Sequence, residues 1–378
     1  MPKAYNPALA LVVPPGLLEK IRQFTPNWFA MTMGNGIVFL ILMALPVQFS
    51  GKQALAEALW VTDVAVFAGV ALMLTARFVC FPETIRPLLH HSQQSMFFGA
   101  IPMGFAPLVN GIVLFMGSRY GASAYHFAFV LWCIDAALSL IVALGVPYLV
   151  FTAQSHAFER VSAVLLLPLV APEVAASSAA VIAPHATAPV AQFMIGAGYV
   201  LWAVSVPLAL MVLTILFFRL LIHKLPHRDL GPSSWLTLGP IGTGALGLLT
   251  LGQAAPAAFV SSPLASVALT ARDLGVIGAL MLWGLGAWWL LTAILFTLRY
   301  CREGMPFNLG WWAFTFPLGV YTVATLALGR VTGFAGFEVV GMVLALLFGA
   351  LWSVVITRTI HGLISGRLFF APCLAAAR

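Results

Sequence analysis

Charge is what this sequence has least of. Asp, Glu, Lys and Arg make up 8% of its 378 residues, about a third of their share in ordinary soluble domains. A soluble fold of this size could not cover its surface with so few charges, so the surface must face lipid. Cysteine is sparse too. Cys80, Cys133, Cys301 and Cys373 stand far apart, which leaves no CxxC, no Cys/His cluster and no disulfide framework. They read as small apolar packing residues. There is no HExxH, no pair of acids on one helix face and no nucleophile motif, so a membrane-embedded enzyme is not expected. The formal charge of +7 comes from basic residues scattered singly, not from the patch that nucleic acid requires. Neither a nucleic-acid partner nor a cofactor nor a metal is expected. With no soluble output domain or long linker in view, a sensor or scaffold is also disfavoured.

What the chain does have is apolar length. Hydrophobic residues reach 62%, with 28 Phe and 11 Trp, rings suited to membrane cores and headgroup level. Runs of about 20 apolar residues, enough to cross the hydrocarbon, fall at 27–46, 60–79, 95–116, 124–144, 161–182, 194–221, 234–253, 273–298, 311–328 and 337–359. The fifth, LLLPLVAPEVAASSAAVI, is the weakest, since Pro168, Pro172 and Glu173 interrupt it. The first fourteen residues lack a cleavage site of secretory type. GLLEKIRQF, within 15–24, reads as a short amphipathic helix at the interface. The organisation expected is a tail over 1–26, one transmembrane domain over 27–360 and a second tail over 361–378.

An even number of spans puts both termini on one side. That side holds Lys3, Lys20, Arg22, Arg77, Arg86, Arg160, Arg219, Lys224, Arg228, Arg299, Arg302, Arg358, Arg367 and Arg378, whereas the other holds Lys52, Arg119, Arg272 and Arg330. This positive-inside bias places both termini in the cytoplasm of a bacterial-type inner (plasma) membrane. Five helix pairs then leave the cytoplasm and return to it.

Proline separates the two members of each pair. Pro102, Pro107, Pro168, Pro172, Pro240 and Pro317 lie inside odd-numbered spans; among even ones only Pro207 is well inside, with Pro147 just past an end. Glycines crowd the odd spans as well, Gly34 and Gly36 among them. Interior proline frees a carbonyl, and in lipid such groups are tolerated where they face protein or a wet cavity. Packing kinks and small-residue helix contacts are the other explanation for any one of them. Taken together they predict odd helices as an inner ring and even helices as an outer, lipid-facing one.

Four stretches on odd spans carry a resemblance: PNWFAMTMGNGI (26–37), LLHHSQQSMFFGAIPMGF (88–105), PSSWLTLGPIGTG (232–244) and FNLGWWAFTFPLGVYT (307–322). The chain resembles the tellurite-resistance/dicarboxylate transporter family, which spans bacterial tellurite-resistance proteins, yeast malate permeases, fungal sulfite pumps and plant slow anion channels. The resemblance implies an all-α integral membrane fold of ten transmembrane helices, arranged as five helical hairpins around a central pore with quasi-fivefold symmetry. It also implies a homotrimer with one pore per subunit, and a pore-blocking phenylalanine on the ninth helix, at Phe316 or, second, Phe314. The family's His-Pro before the third span is missing here, where Ser92 follows His91, so no role is carried over to His90 or His91.

The implied function is transport of small anions, either a C4-dicarboxylate such as malate or sulfite. A passive channel for monovalent anions is the alternative. Pore-lining or substrate candidates are Thr32, Gly34, Gly36, Pro102, Pro168, Pro172, Glu173, Ser177, Pro240, Thr243, Thr315 and Pro317. The hydroxyls of Thr32, Ser177, Ser178, Thr243 and Thr315 and the kinked backbone offer neutral donors, and no Lys or Arg sits mid-span to hold an anion too tightly. Glu173 is the most informative charge, because an intramembrane carboxylate is costly. It would permit proton coupling, or else brace the kink at Pro172. Asp135 reads as a packing or subunit-contact residue. Asp63, Asp273 and Glu338 read as interfacial, His126 likewise. Arg330 could draw anions to the outer mouth.

Overall fold

The computed structural model describes residues 16–375; Lys3 and Arg378 lie outside the described residues. Among the described residues, ten helices are long and apolar enough to cross a membrane: α1 (Pro26–Ala44), α2 (Lys52–Cys80), α3 (Ser95–Tyr120), α4 (Ala122–Thr152), α5 (Ala163–His185), α6 (Ala188–His223), α7 (Arg228–Ala258), α8 (Ala265–Arg302), α9 (Leu309–Thr332) and α10 (Ala335–Ile364). The fold is all-α, and among the described residues there is no strand.

Burial sorts the helices by parity. In the odd helices 50–94% of the most apolar stretch is buried within the protein, against 22–33% in the even ones. The odd helices touch in a closed cycle, α1 to α3 to α5 to α7 to α9 and back to α1. Each even helix packs against its own odd partner and against the next odd helix round. An inner ring of five is thus wrapped by an outer ring of five, the contact pattern that a quasi-fivefold arrangement requires.

One polar contact recurs around that wrapping. Every even helix carries a tryptophan whose indole Nε1–H donates to the next odd helix. Trp60 bonds the Leu108 carbonyl at 3.0 Å, Trp132 that of Ala175 at 2.8 Å and Trp202 that of Gly244 at 2.9 Å. Trp283 reaches Oγ1 of Thr325 at 2.9 Å and Trp352 reaches Oδ1 of Asn35 at 3.0 Å. A buried indole needs an acceptor. Here the acceptor pins each outer helix to its inner neighbour at a fixed height.

The prolines act differently from the expectation of interior kinks. Each odd helix opens with a 3-10 segment: Pro26–Trp28, Ser95–Gly99, Ala163–Leu165, Arg228–Thr237 and Leu309–Phe314. In four of them the α-helix that follows carries a proline in its first turn, namely Pro102, Pro168, Pro240 and Pro317. The missing N–H costs nothing there, because the first turn has no intrahelical acceptor to use it. Only Pro107, Pro172 and, near an end, Pro256 interrupt the inner α-helices themselves. Among the outer helices Pro147 lies inside α4, not past its end, and α4 continues through it to Thr152.

Asp63 is a second correction. The α2 helix begins at Lys52, well before residue 60, with Lys52 Nζ donating to the carbonyls of Leu45 and Val47 at 2.7 and 3.1 Å. Asp63 is therefore well inside the span, not interfacial, and is fully buried beside Gly36. Arg77 likewise belongs to α2, not to a loop. It is fully buried, bonding the Phe24 carbonyl, Oγ1 of Thr84 and Sγ of Cys373. That ties the short helix Leu17–Arg22 and the helix Pro372–Ala375 to one end of the bundle.

Candidate functional site

The five 3-10 segments meet at that same end. Each touches its two neighbours in the cycle, so they form a ring of helix N-termini. A helix N-terminus presents unbonded N–H groups and about half a positive elementary charge. Five in parallel favour anions at this mouth without any fixed cation.

A cavity of about 520 Å³ enters from this end, among Asn27, Gln93, Gln94, Ser233, Asn308 and Arg367. Asn308 organises its rim. Its Oδ1 accepts from the Gly310 N–H at 2.7 Å, and its Nδ2 donates to the Asp229 carbonyl at 3.1 Å. A second cavity, of about 510 Å³, enters from the opposite end. All five inner helices line it, through residues such as Ile37, Asn110, Ser178, Thr243 and Val320, and Arg330 lies toward its mouth. Phe316 is the one residue common to both walls among the described residues.

Local sequence explains how Phe316 comes to stand there. The 3-10 segment ends at Phe314, Thr315 takes φ −98° and ψ −77°, and Pro317 fixes the start of the α-helix. The α1 and α9 helices press together on either side. A Cβ on Gly34 would lie 2.5 Å from the Trp312 ring, and one on Gly319 would lie 2.5 Å from Ile37. Glycine at both positions permits the close approach of α1 and α9 beside Phe316. Phe314 points elsewhere. It packs edge-on to Trp235 and Trp311, at ring-centroid distances of 5.4 and 5.5 Å, and lines neither cavity.

The other candidates divide. Ser177 and Thr243 line the far cavity, and Pro317 lines the near one. Thr32 bonds the Phe29 carbonyl at 2.9 Å and faces Gly104, Thr315 bonds that of Trp312 at 2.7 Å, and both are buried between helices. Gly34, Gly36, Pro102, Pro168, Pro172 and Pro240 are buried in contacts between helices and lie on neither wall. Glu173 is fully buried beside Ser205 of α6, on neither wall, and its carboxyl oxygens have no hydrogen-bond partner among the described residues. Asp135 is buried inside α4. Ser178, read from the sequence as a neutral donor, also lines the far cavity; Asn110 and Thr250 line it too and had not been singled out. Their sequence signal was a polar residue in an otherwise apolar inner span.

His91 sits outside the spans and caps the entry to α3. Its Nδ1 accepts the N–H groups of Gln93 and Gln94, both at 3.2 Å. Partial burial pushes its imidazole below the ordinary histidine range, a hydrogen bond to its own backbone opposing this. The neutral ring keeps that nitrogen free to accept.

A sequence profile for the family described as voltage-dependent anion channel matches residues 23–360, nearly the whole chain. This chain belongs to that family. The resemblance read from four inner-helix stretches therefore holds, and transport of small anions across a membrane is the family's activity and this protein's. Family members are transporters and channels, not enzymes. Among its relatives, the sulfite efflux pump of Arthroderma otae is 36% identical over 354 residues, covering 92% of this chain and 93% of the relative. The sulfite efflux pump of Trichophyton rubrum matches at the same identity, length and coverage. The malic acid transport protein of Schizosaccharomyces pombe is 23% identical over 349 residues, covering 89% of this chain and 77% of the relative.

Proposed function

We propose that this protein carries sulfite outward across the cell membrane, through the space between the two cavities, with Phe316 as the block. The observation that carries the proposal is the position of Phe316, shared by two vestibules that enter from opposite ends. A ring of carbon and hydrogen between the two vestibules blocks the bore and favours dewetting, which resists ion passage more strongly than its size alone would. The ring of helix N-termini gathers anions at one mouth. The positive-inside rule assigns that mouth to the cytoplasm, together with both termini. Sulfite is preferred to malate because the sulfite efflux pumps of Arthroderma otae and Trichophyton rubrum match at higher identity, over a larger share of their length, than the malic acid transport protein does.

Purified protein in liposomes loaded with sulfite tests this. Protein-dependent, saturable sulfite release is expected, faster than release of malate at equal concentration. Vesicles as tight as protein-free ones would overturn the proposal. A passive channel for monovalent anions, the alternative, predicts chloride and nitrate fluxes comparable with that of sulfite.

Proton coupling is the part of this reading that depends on Glu173. Its carboxyl stands on neither cavity wall, which favours uncoupled passage. Glu173→Gln is expected to leave the pH profile of flux as it was, and a flattened profile would establish coupling. We also propose a homotrimer, on the resemblance to trimeric relatives, and the mass of the detergent-solubilised particle tests it. Cysteine accessibility from either face of right-side-out vesicles tests the orientation.

A further inference from the structure

The hydroxyls of the inner ring are of two kinds. Thr32, Ser177, Thr250, Thr315, Thr322 and Thr325 each donate to a carbonyl a turn earlier in their own chain. That is a common arrangement for Ser or Thr inside a helix. Ser178 and Thr243 do otherwise. Their oxygens are buried with no hydrogen-bond partner among the described residues, and so is Oδ1 of Asn110. Relative exposures are 9% for Asn110 and 1% for each of the other two. All three residues line the far cavity. Native proteins keep few such groups, and those they keep call for an account.

The three also share a depth. Each lies within one helical turn of the carbonyl that anchors an outer tryptophan: Leu108 for Asn110, Ala175 for Ser178 and Gly244 for Thr243. Their helices, α3, α5 and α7, are consecutive in the ring. Near the residues that anchor the other two tryptophans, Asn35 and Thr325, α1 and α9 present Ile37 and Val323 to the same cavity. The wall thus has a polar arc over three helices and an apolar arc over two.

We infer that Asn110, Ser178 and Thr243 form the anion-binding site of the pathway, and that it fits a small oxyanion with one charged pole rather than a dicarboxylate. This rests on the transport reading above. Two hydroxyls and an amide supply neutral donors that replace part of an oxyanion's hydration shell. No Lys or Arg belongs to the arc, so the ion is held weakly enough to leave. Sulfite and hydrogensulfite carry their oxygens around one sulfur and meet such an arc with one face. A C4-dicarboxylate has a second charged pole a chain's length away. That pole would fall on the apolar arc or toward the mouth, where Arg330 already donates to the Ala44 carbonyl at 2.9 Å and Glu338 shares the wall.

The test is sulfite flux in proteoliposomes holding the full chain, for wild type, Thr243→Val, Ser178→Ala and the double variant. Valine keeps the shape of threonine and removes only the hydroxyl. The sulfite concentration at half-maximal flux is expected to rise about tenfold for each donor removed, as for hydrogen bonds to a charged group. Thr243→Ser should restore the wild-type value. Malate should compete poorly. An unchanged half-saturating concentration in the single variants, with thermal midpoints matching wild type, would overturn the inference. So would malate competing as strongly as sulfite. If wild-type protein passes no sulfite at all, the transport reading falls instead, which separates the two failures.

Discussion

The inner and outer rings are built from the same apolar alphabet, yet they solve different problems. The outer helices are long and unbroken: α8 runs 38 residues, from Ala265 to Arg302, with large side chains such as Met281 and Leu291 exposed to the surroundings. Their polar groups face inward, as Trp132, Asp135 and Ser139 do. The inner helices open in a 3-10 segment, the α-helical stretch that follows is shorter, and in four of the five it carries a proline in its first turn. An outer helix must satisfy its own backbone against lipid, so it keeps one continuous ladder. An inner helix is shielded on every side, and its end can be spent on a ring of unbonded N–H groups facing an ion. Proline does not distinguish the rings by kinking one of them, since α4 and α6 continue through Pro147 and Pro207. It marks where the 3-10 mouth gives way to the α-helical barrel.

If that division is right, substitutions of like size should have unlike effects. The largest contrast lies within α9. Phe316→Ala opens the common wall of the two cavities, and anion flux should rise by about tenfold or more, since each ~1.4 kcal/mol taken from a barrier is tenfold. Phe314→Ala, a short step away, removes a ring wedged between Trp235 and Trp311. It should cost about 3–5 kcal/mol of stability and leave the rate per folded molecule nearly unchanged. Liposome flux measured beside thermal unfolding of the same preparations separates the two. Equal flux in wild type and folded Phe316→Ala would remove the block from the proposed mechanism.

Glycine gives the next contrast. At Gly34 a Cβ would press 2.5 Å from the Trp312 ring, whereas at Gly145 of the outer α4 nothing lies within 4 Å. Gly34→Ala should destabilise by about 1–3 kcal/mol through overpacking. Gly145→Ala should be neutral or stabilise by about 0.5–1 kcal/mol, because glycine in a helix interior costs roughly that much. Fluorescence-detected size exclusion after graded heating reads both. A Gly34→Ala protein as stable as wild type would show that α1 and α9 are free to separate.

Most of this architecture was legible in the sequence, and the exceptions have physical causes. Hydropathy and charge gave ten spans and their grouping, because lipid leaves a chain few choices. The crowding of Pro and Gly on alternate spans marked the inner ring, though the reason offered, interior kinks, was only part of it. A proline's number in a sequence does not say whether its neighbours upstream are α or 3-10. Asp63 was misplaced because the α2 helix starts at Lys52, in a stretch too polar to read as membrane. Of the pathway residues, Phe316 came from family resemblance and Thr243 from its hydroxyl. Ser178 was likewise read as a hydroxyl donor, whereas Asn110 went unremarked, since a lone polar residue in a span gives no sign of which way it points. The tryptophan that recurs once per outer helix, at 60, 132, 202, 283 and 352, was visible all along. Its meaning required knowing that the acceptor lies on the next helix round.

That recurrence yields a smaller prediction. Trp132→Phe keeps most of the ring's volume and loses the bond to the Ala175 carbonyl at 2.8 Å. It should cost about 1 kcal/mol, a typical net worth for one hydrogen bond. Trp288→Phe, on a half-exposed outer surface, should cost nothing measurable. Equal midpoints for wild type and Trp132→Phe would mean that the indole contacts follow from the ring arrangement without stabilising it.

The smallest effect is expected at the mouth, where pH acts on His91. Its folded-state imidazole titrates below the unfolded value of 6.5, chiefly through burial. The neutral form is thus the one the fold prefers, and its contribution to stability is complete above that value. As pH falls through 6.5 toward the lower folded value, the unfolded chain takes up the proton first and the contribution drains away. Once protonated, Nδ1 can no longer accept from Gln93 and Gln94, and the turn into α3 loosens. Wild-type protein should therefore lose more stability than His91→Asn between pH 7 and pH 5.5, since an Asn side-chain oxygen can accept the same N–H groups without titrating. Parallel pH dependences for the two proteins would show that the imidazole is not what holds α3 to its place in the ring.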